Sequence, residues 1–417
     1  MIVKILPSVV KGGVTPPASK SEAHRALICA ALSNKKTTIY GNICGDDVDA
    51  TISCLTQLGA EFTRGNNFIE VKPIDRSIKA ITMYANASGS TLRFMLCLCA
   101  MLGITVHMDG INRLRERPLD DLVEVFSKNG IIFSSKTLPF TMSGKLNTNN
   151  ISISASVSSQ YVTGLMLGAV ALNEEIGINV VGDITSKSYI ELTSKMLNNF
   201  GVKVVNDGQT WTIYPHKELI DNITIGGDWS GAAAFAVLGA INGEITLSGL
   251  DTDSSQGDKE IIDIIKKAGG NVEKVKDGYK ISKSNLKAID LDATNIPDLV
   301  PVLAVLLSQA KGVSTISGVE RLKVKESDRL TETINILNKF NIKAETDGKI
   351  LKVYSGELKS ANIDLPDDHR MAMMSAIAAT IANGETTLQR AECVSKSYPR
   401  FFDDLKRVGG QVNELNI

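Results

Sequence analysis

A helix-like, mostly apolar segment recurs six times along the 417 residues of this chain. The six segments start at Ser21, Ser90, Ser159, Ser230, Asp298 and Asp368, so successive starts lie 69, 69, 71, 68 and 70 residues apart. A repeat of fixed period indicates that one structural unit is copied along the chain. Six units of about 70 residues would account for nearly all of the sequence, and each is too long for a familiar solenoid repeat.

Each repeat also contains a second helix-like segment and a hairpin signal. The second segment, as in DATISCLTQLGAEF and KEIIDIIKKAGGNV, has apolar residues at i, i+3, i+4 and i+7, which is typical of an amphipathic helix. Most copies end at Gly or Asn and are followed by turn sequences such as VVNDGQTWTIYP and AETDGKILKVY. We therefore predict six βαβαββ units in which the first helix is buried and the second lies nearer the surface. An α/β protein of two domains, with three units in each, fits this length.

Charge and cysteine usage exclude several classes of protein. The chain has 45 basic and 46 acidic residues, so it lacks the basic excess of a non-specific nucleic-acid binder. Its six cysteines form no metal-type CxxC pair and its four histidines are scattered, so we predict no metal site. Its apolar runs are shorter than the ~18 residues that a membrane span needs, and the start has no signal-peptide pattern. We expect a cytoplasmic protein with reduced, buried thiols.

Polar residues gather at the starts of the predicted helices. All six buried helices begin with Ser or Asp, which are good N-cap residues, and a helix N-terminus attracts anions. If the three buried helices of a domain point the same way, two domains facing each other would form a cleft for a small polyanion. The starts of the buried helices carry Lys20, Ser21, Arg25, Ser90, Arg93, Ser158, Ser159, Gln160, Asp298, Asp368, His369 and Arg370. The starts of the amphipathic helices carry Arg113, Arg115, Arg117, Ser186, Lys187, Tyr189, Lys325, Glu326, Arg329, Lys396 and Arg400.

Capping or solvated surface charge is the ordinary interpretation of any single one of these residues. The segment RLKVKESDRL, from Arg321 to Leu330, could be a solvated helix start with a small i,i+3 benefit. It occupies the same repeat position as NRLRERPLDDL and VSKSYPRFFDDL, however. A basic loop that recurs before an amphipathic helix favours a device for holding phosphate or carboxylate groups.

The motifs PPASKSEAHRALICAAL, SGSTLRFML, RLRERPLDDL, SVSSQYVTGLML, IPDLVPVLAVL, RLKVKESDRL, DHRMAMMSAIAA and CVSKSYPRFFDDL follow one another between residues 16 and 405. Together they resemble the 5-enolpyruvylshikimate-3-phosphate synthases, which are 3-phosphoshikimate 1-carboxyvinyltransferases. The resemblance implies a two-domain inverse α/β barrel, with residues 1–15 and 227–417 in one domain and 16–226 in the other. It implies transfer of enolpyruvyl from phosphoenolpyruvate to the 5-hydroxyl of shikimate 3-phosphate, with release of phosphate, in the pathway to chorismate and aromatic amino acids. No metal or organic cofactor is implied.

The resemblance also implies roles for individual residues. Asp298 corresponds to the base for the attacking hydroxyl, Glu326 to the acid that protonates the methylene carbon, and Lys20 to a third catalytic residue. Around shikimate 3-phosphate it implies Lys20, Ser21, Arg25, Ser158, Ser159, Gln160, Ser186, Tyr189, Asp298 and Lys325. Around phosphoenolpyruvate it implies Lys20, Gly89, Arg117, Gln160, Arg329, Arg370 and Lys396. Each substrate brings one phosphate and one carboxylate, so at least four cationic anchors are expected. Glyphosate is the expected inhibitor and a monomer the expected state.

Three positions depart from the family pattern. Ala87 stands where many members have Asn or Glu, and Arg321 where some have Asn, so a substrate contact of Arg321 is in doubt. His24 lies at a variable site of the first motif and receives no role.

Three other classes of protein fit the sequence less well than this family. A UDP-N-acetylglucosamine enolpyruvyl transferase would have a loop cysteine near the donor, and RLRERP contains none. A nucleotide-binding or RNA-end-processing protein built on similar repeats is disfavoured because Ser19 replaces the Gly that a P-loop needs before Lys20. A pure binding module would have no need of Asp298 and Glu326 among so many cations.

Overall fold

A computed structural model describes residues 1–415 of the chain, which form two compact units. Ala18–Ile225 make up the N-terminal unit. Met1–Pro17 and the chain from Gly226 onward make up the C-terminal unit. Each unit has its own hydrophobic core.

The helices alternate between the two kinds predicted for each repeat. In the N-terminal unit they are α1 (Lys20–Leu32), α2 (Asp46–Gln57), α3 (Gly89–Leu102), α4 (Asp120–Lys128), α5 (Gln160–Val170) and α6 (Lys187–Asn199). In the C-terminal unit they are α7 (Trp229–Ile241), α8 (Ile261–Lys267), α9 (Val300–Ser308), α10 (Arg329–Lys339), α11 (His369–Ala379) and α12 (Phe401–Arg407). The odd-numbered helices are buried along nearly their whole length, whereas the even-numbered helices bury one face. Among residues 1–415, every helix is too short or too polar to cross a membrane.

The strands form six four-stranded sheets. Those of the C-terminal unit are β1 (Ile2–Leu6), β2 (Lys11–Val14), β15 (Glu244–Leu247), β16 (Asn271–Val275), β17 (Gly278–Ser282), β18 (Asp290–Asp292), β19 (Val313–Ser317), β20 (Ala344–Thr346), β21 (Ile350–Tyr354), β22 (Asn362–Asp364), β23 (Thr386–Gln389) and β24 (Gln411–Leu415). Those of the N-terminal unit are β3 (Thr37–Tyr40), β4 (Glu61–Gly65), β5 (Phe68–Lys72), β6 (Ala80–Tyr84), β7 (Thr105–Asp109), β8 (Ile131–Phe133), β9 (Phe140–Gly144), β10 (Asn150–Ser154), β11 (Ile176–Val181), β12 (Val204–Asn206), β13 (Thr210–Ile213) and β14 (Asn222–Thr224).

The six sheets share one pairing pattern, which confirms the predicted βαβαββ unit. In the sheet β6-β7-β9-β8, β6 pairs with β7 in parallel across α3, and β9 pairs antiparallel with both β7 and β8. The sheets β10-β11-β13-β12 and β18-β19-β21-β20 have the same order. In the other three sheets one strand comes from a distant part of the chain: β14 pairs with β3, β2 with β15, and β1 with β23 and β24. In these three sheets, a strand that is distant in sequence but belongs to the same unit therefore completes the repeat.

Several predicted helix caps are displaced by two residues. Ser88 and not Ser90 caps α3, because the Ser88 hydroxyl accepts a hydrogen bond from the Thr91 N–H. In the same way Ser19 caps α1 in place of Ser21, and Asp228 caps α7 in place of Ser230. Asp298 is not a cap at all and lies in the 3-10 turn Pro297–Leu299 that precedes α9. The predictions that Ser159 and Asp368 occupy cap positions are confirmed, for α5 and α11.

A glycine and an exposed arginine contact the buried helices of the N-terminal unit. A Cβ at Gly164 of α5 would lie 2.8 Å from the Cys97 sulfur and 3.0 Å from the Arg93 carbonyl oxygen on α3, so only glycine permits this approach. At the C-terminal ends of α1 and α5, Arg76 donates to the carbonyl oxygens of Leu32 (3.3 Å) and Ala171 (2.8 Å). A cation there also offsets the negative end of the helix dipole. Gly164 thus allows α5 to pack closely on α3, and Arg76 links α5 to α1.

Candidate active site

In the N-terminal unit, Lys20 opens α1 and pairs with a buried carboxylate. Its ammonium group lies 2.7 Å from Asp47 Oδ2, near the start of α2, and the two side chains are 15% and 8% exposed. No role was predicted for Asp47 from the sequence, because a carboxylate in the first turn of a helix is ordinarily explained by its interaction with the helix dipole. Its partner is 27 positions away and could be found only from the fold.

Arg25 is the most enclosed of the predicted anion anchors of the N-terminal unit. Its Nε donates to Thr193 Oγ1 at 2.8 Å, and its other nitrogens donate to the carbonyl oxygens of Ser21 (2.5 Å) and Tyr189 (3.0 Å) and to Thr163 Oγ1 (3.4 Å). Burial lowers the pKa of Arg25 to about 10. The guanidinium thus ties α1 to α5 and α6, whatever it does for a substrate.

The Gly89 turn brings three further predicted residues together around Arg93. Arg93 NH1 donates to Gln160 Oε1 (2.9 Å) and to the Gly89 carbonyl (3.3 Å), while its NH2 donates to the Pro118 carbonyl (3.0 Å). A Cβ placed on Gly89 would lie 2.7 Å from Arg117 Cζ. The sequence placed Arg93 in the polar cluster but assigned it no role, and the structure makes it the centre of this group.

Three of the four serines predicted around shikimate 3-phosphate lie at the starts of α5 and α6. Ser158 accepts a hydrogen bond from the Gln160 N–H at 3.3 Å, and Ser159 occupies the cap position of α5. Ser186 is buried and has a φ of +53°, in the left-handed region that non-glycine residues seldom adopt. Such backbone strain persists where the surroundings enforce it and is concentrated at functional sites. Tyr189 follows in the first turn of α6.

In the C-terminal unit, Asp298 is surrounded by cations. Its Oδ1 lies 2.8 Å from Arg329 NH1 and 3.5 Å from the Lys325 ammonium, and its Oδ2 lies 3.0 Å from Arg370 NH2. Arg370 NH1 also donates to the Asp298 carbonyl oxygen at 3.1 Å. The 3-10 turn before α9 therefore holds the predicted base against residues of α10 and α11.

Arg329 links Asp298 to two further carboxylates. Its NH2 contacts Glu326 Oε2, and its Nε donates to Asp368 Oδ2 at 2.7 Å. Asp368 is fully buried and also accepts from the Ser327 hydroxyl at 3.0 Å. Burial by itself raises the pKa of Asp368, but the charge and hydrogen bonds of Arg329 outweigh it and hold this pKa below the ordinary value. The structure therefore adds Asp368, which the sequence marked only as a helix start, as the partner that fixes Arg329.

Glu326, Asp368 and His369 each bring one potential metal-ligand atom within 4.8 Å of the others. The guanidinium of Arg329 already lies against the first two, so the charge of these carboxylates is offset by a resident cation. Lys396 belongs to the edge of this region, where it donates to the carbonyl oxygen (2.6 Å) of Asp367 and lies 2.9 Å from its carboxylate.

A further buried carboxylate, Asp258, was not predicted from the sequence. It accepts a hydrogen bond from the Ser230 hydroxyl at the start of α7. Burial, together with the negative charge of Asp298, raises the pKa of Asp258 to about 6. The sequence signal, Gln-Gly-Asp after a β-type segment, carries no period or spacing that would have singled it out.

Comparison with known proteins identifies the family. The family profile described as EPSP synthase (3-phosphoshikimate 1-carboxyvinyltransferase) matches residues 6–405. The chain belongs to the EPSP synthase family. A curated relative, the 3-phosphoshikimate 1-carboxyvinyltransferase of Clostridium kluyveri, is 36% identical over 425 residues, which cover 100% of this chain and 99% of the relative.

Solved structures of similar fold agree with this assignment. EPSP synthase from Acinetobacter baumannii superposes with a TM-score of 0.81 at 22% identity, over 99% of this chain and 100% of that one. The enolpyruvyl transferase NikO from Streptomyces tendae has a TM-score of 0.75 at 16% identity, over 99% of this chain and 98% of that one. These similarities confirm the predicted inverse α/β barrel fold. Because proteins with different names share it, the fold alone does not identify the acceptor, and the family match does.

The predicted activity is thereby confirmed. The chain is an enolpyruvyl transferase of the shikimate pathway, which transfers enolpyruvyl from phosphoenolpyruvate to shikimate 3-phosphate in aromatic amino acid biosynthesis. The alternatives of a UDP-N-acetylglucosamine enolpyruvyl transferase, a nucleotide-binding protein and a pure binding module are set aside by the same match.

Proposed function

We propose that Asp298 and Glu326 carry the two proton transfers of this reaction. Asp298 accepts the proton of the attacking 5-hydroxyl, and Glu326 delivers a proton to the methylene carbon of phosphoenolpyruvate and recovers it when phosphate leaves. The observation that carries the proposal is their shared partner: Arg329 contacts the carboxylates of both residues. One guanidinium thus orients an acid and a base, and a group that orients both sets their separation.

The charge balance around Asp298 gives a reason why it acts as a base only when substrate is bound. Lys325 and Arg370 neutralise Asp298 in the structure, and a carboxylate among cations is a weak base. We assign Lys325 to shikimate 3-phosphate and Arg370 to phosphoenolpyruvate. Substrate anions that take over these two cations weaken their hold on Asp298 and raise its affinity for a proton.

The remaining anchors divide between the two substrates as the family resemblance implies. Shikimate 3-phosphate is assigned the serines and other polar groups at the starts of α1, α5 and α6: Lys20, Ser21, Arg25, Ser158, Ser159, Gln160, Ser186 and Tyr189. Phosphoenolpyruvate is assigned Lys20, Gly89, Arg117, Gln160, Arg329, Arg370 and Lys396. Support comes from the closeness of Gly89, Arg93, Arg117 and Gln160, and from the Lys20–Asp47 pair, which holds the Lys20 ammonium in a defined position.

Four properties of the whole protein are part of the proposal. The functional domains are 1–15 with 227–417, and 16–226, the protein is a monomer, and glyphosate competes with phosphoenolpyruvate beside Gly89. A cytoplasmic location is supported by the cysteines: Cys29, Cys54 and Cys393 are buried, and burial raises the pKa of each thiol to about 12. Light scattering and inhibition kinetics test the second and third properties.

The acid role of Glu326 is tested with Glu326→Gln, which keeps the shape but has no transferable proton. We expect normal folding, nearly unchanged binding of shikimate 3-phosphate, and a kcat lower by about 10²–10⁴-fold. Exchange of solvent deuterium into the methylene group of phosphoenolpyruvate should fall in parallel. Glu320→Gln, at an exposed glutamate in the 3-10 turn Glu320–Val324 just before Glu326, is the matched control and should behave as wild type.

One outcome contradicts the assignment. If Glu326→Gln keeps more than about a tenth of the wild-type kcat, Glu326 is a structural partner of Arg329 and the proton comes from another group.

A further inference from the structure

A buried chain of side-chain hydrogen bonds runs beneath the N-terminal ends of α1, α2 and α3. His24 Nδ1 lies 2.7 Å from Thr51 Oγ1, which lies 2.7 Å from Thr91 Oγ1, which in turn lies 2.8 Å from Ser88 Oγ. All four side chains are 0–1% exposed. Thr91 Oγ1 is also 3.3 Å from the carbonyl oxygen of Asp47. These hydrogen bonds therefore join α1, α2 and α3 within the N-terminal unit.

The other ring nitrogen of His24 determines the direction of these bonds. His24 Nε2 is buried and has no hydrogen-bond partner. A buried N–H without an acceptor is rare and costly, whereas a buried lone pair is tolerated more often. The proton therefore sits on Nδ1, and His24 donates to Thr51. Thr51 then donates to Thr91, and Thr91 donates to Ser88 or to the Asp47 carbonyl.

The His24 ring stays neutral, so the Nδ1 proton is the only N–H that the ring can donate. Burial lowers the pKa of His24 to about 3; the charge of Asp47 raises it, and the charges of Lys20 and Arg25 lower it. A protonated ring would place two donors where the structure provides one acceptor. His24 is thus a fixed donor at neutral pH and not a titrating switch.

The end of this hydrogen-bond series that is distant from His24 lies beside residues assigned to phosphoenolpyruvate. Asp47 pairs with Lys20, and Ser88 caps the helix that begins at Gly89. We propose that His24 is a positioning residue that, through Thr51 and Thr91, sets the spacing between the Lys20–Asp47 pair and the Gly89 turn. This inference rests on the proposed assignment of Gly89 and its neighbour Arg117, called the Gly89 side, to phosphoenolpyruvate. It gives a function to a buried side chain that the sequence analysis left without one.

Packing is the competing explanation for a buried ring at this position. The His24 ring meets Phe94 edge to face, with centroids 6.3 Å apart. His24→Phe keeps an aromatic ring and removes the donor, whereas His24→Asn removes the ring and keeps an N–H donor near the place of Nδ1. The two variants therefore separate packing from hydrogen bonding.

The experiment measures kcat and both KM values for the two variants in the full chain. We expect His24→Phe to raise the KM for phosphoenolpyruvate by about tenfold, because one buried hydrogen bond is lost and Thr51 Oγ1 is left without that donor. The KM for shikimate 3-phosphate should stay within about twofold. His24→Asn should recover most of the loss. Equal effects of the two variants, equal effects on both substrates, or no effect in either variant would overturn the proposal.

Two further measurements test the role of His24 independently of protein folding and of which residues bind which substrate. Nitrogen NMR of histidine-labelled wild-type protein, with the His24 signals assigned by their loss in His24→Asn, should show the Nδ1–H tautomer; an Nε2–H tautomer would overturn the proposal. Arg117→Ala tests the substrate assignment separately. If it leaves the KM for phosphoenolpyruvate unchanged, the assignment of the Gly89 side fails, while the tautomer and the contrast between the two His24 variants still decide the role of His24.

Discussion

Asp368→Asn offers the sharpest test of what holds the C-terminal site together. The carboxylate of Asp368 is fully buried and accepts hydrogen bonds from Arg329 Nε (2.7 Å) and NH2 (3.2 Å) and from the Ser327 hydroxyl (3.0 Å). Asparagine has nearly the same shape and is an equally good helix cap, so the cap of α11 survives the change. If the remaining oxygen keeps the Arg370 N–H bond of the cap, the substitution removes the charge and also places an NH2 group against Arg329 Nε, which loses its acceptor.

The magnitude follows from the burial of both partners. Arg329 is 2% exposed and Asp368 is 0% exposed, and breaking such a pair by neutralising one partner costs about 3–5 kcal/mol. For a domain of about 150–250 residues, each kcal/mol lowers Tm by about 2–4 °C. The Tm of the C-terminal unit should thus fall by roughly 6–20 °C. The matched control is Asp364→Asn, whose partner Arg390 is exposed and whose loss should cost about 0–1 kcal/mol.

The chain contains a separate fluorescent reporter for each unit. Its two tryptophans are Trp211, in the N-terminal unit, and Trp229, in the C-terminal unit, and both are fully buried. In a Trp211→Phe background, thermal unfolding followed by Trp229 fluorescence reports the C-terminal unit alone. A Tm loss for Asp368→Asn no larger than that for Asp364→Asn would refute the reasoning.

The pH dependence of the same difference provides a second check, and its sign is fixed. The folded pKa of Asp368 is below that of an unfolded aspartate, about 3.9. Its carboxylate therefore contributes stability at pH values above about 4, and this contribution is lost as pH falls through the folded pKa. The Tm gap between wild type and Asp368→Asn should be full at pH 7 and close progressively below about pH 4.

Two further predictions concern the N-terminal unit. Gly89→Ala should raise the KM for phosphoenolpyruvate about tenfold, because its Cβ would lie 2.7 Å from Arg117 Cζ and force the guanidinium away. This cost should shrink in an Arg117→Ala background, and additive effects of the two changes would contradict the explanation. Thr193→Val should lower the free energy of unfolding in urea by about 1–3 kcal/mol, because it leaves Arg25 Nε buried without its acceptor. Thr333→Val, at a buried hydroxyl without a partner, should be neutral or stabilising, and equal losses at the two sites would refute the distinction.

The repeat period was enough to predict the βαβαββ unit, but it could not predict which strands complete each sheet. β14 pairs with β3 across almost the whole N-terminal unit, and β1 lies between β23 and β24. A period identifies equivalent segments and carries no information about partners from the chain ends. The return of the first residues to the C-terminal unit came from family resemblance alone.

The displaced cap positions and the ion-pair partners could not be predicted from the sequence, for two different reasons. The sequences around Ser19, Ser88 and Asp228 each contain a second Ser two residues later, and both residues have the side-chain chemistry of a cap. Only the backbone conformation decides between them. Asp47 and Asp368 were missed as partners because their cations, Lys20 and Arg329, lie 27 and 39 positions away.

The two units stabilise equivalent helix ends with different chemistry, and this difference has a consequence in acid. The N-terminal unit joins α1, α2 and α3 through neutral groups, the His24, Thr51 and Thr91 side chains, which keep their protons between about pH 4 and pH 9. The C-terminal unit relies on Arg329 and its carboxylates. Lys20 and Asp47 also form a mostly buried ion pair in the N-terminal unit, with side chains 15% and 8% exposed. An unfolded histidine binds a proton below about pH 6.5, whereas folded His24 stays neutral to about pH 3, so the N-terminal unit loses stability as pH falls through this range. The Asp368 contribution to the C-terminal unit is lost only below about pH 4, so Trp211 should report unfolding before Trp229 does.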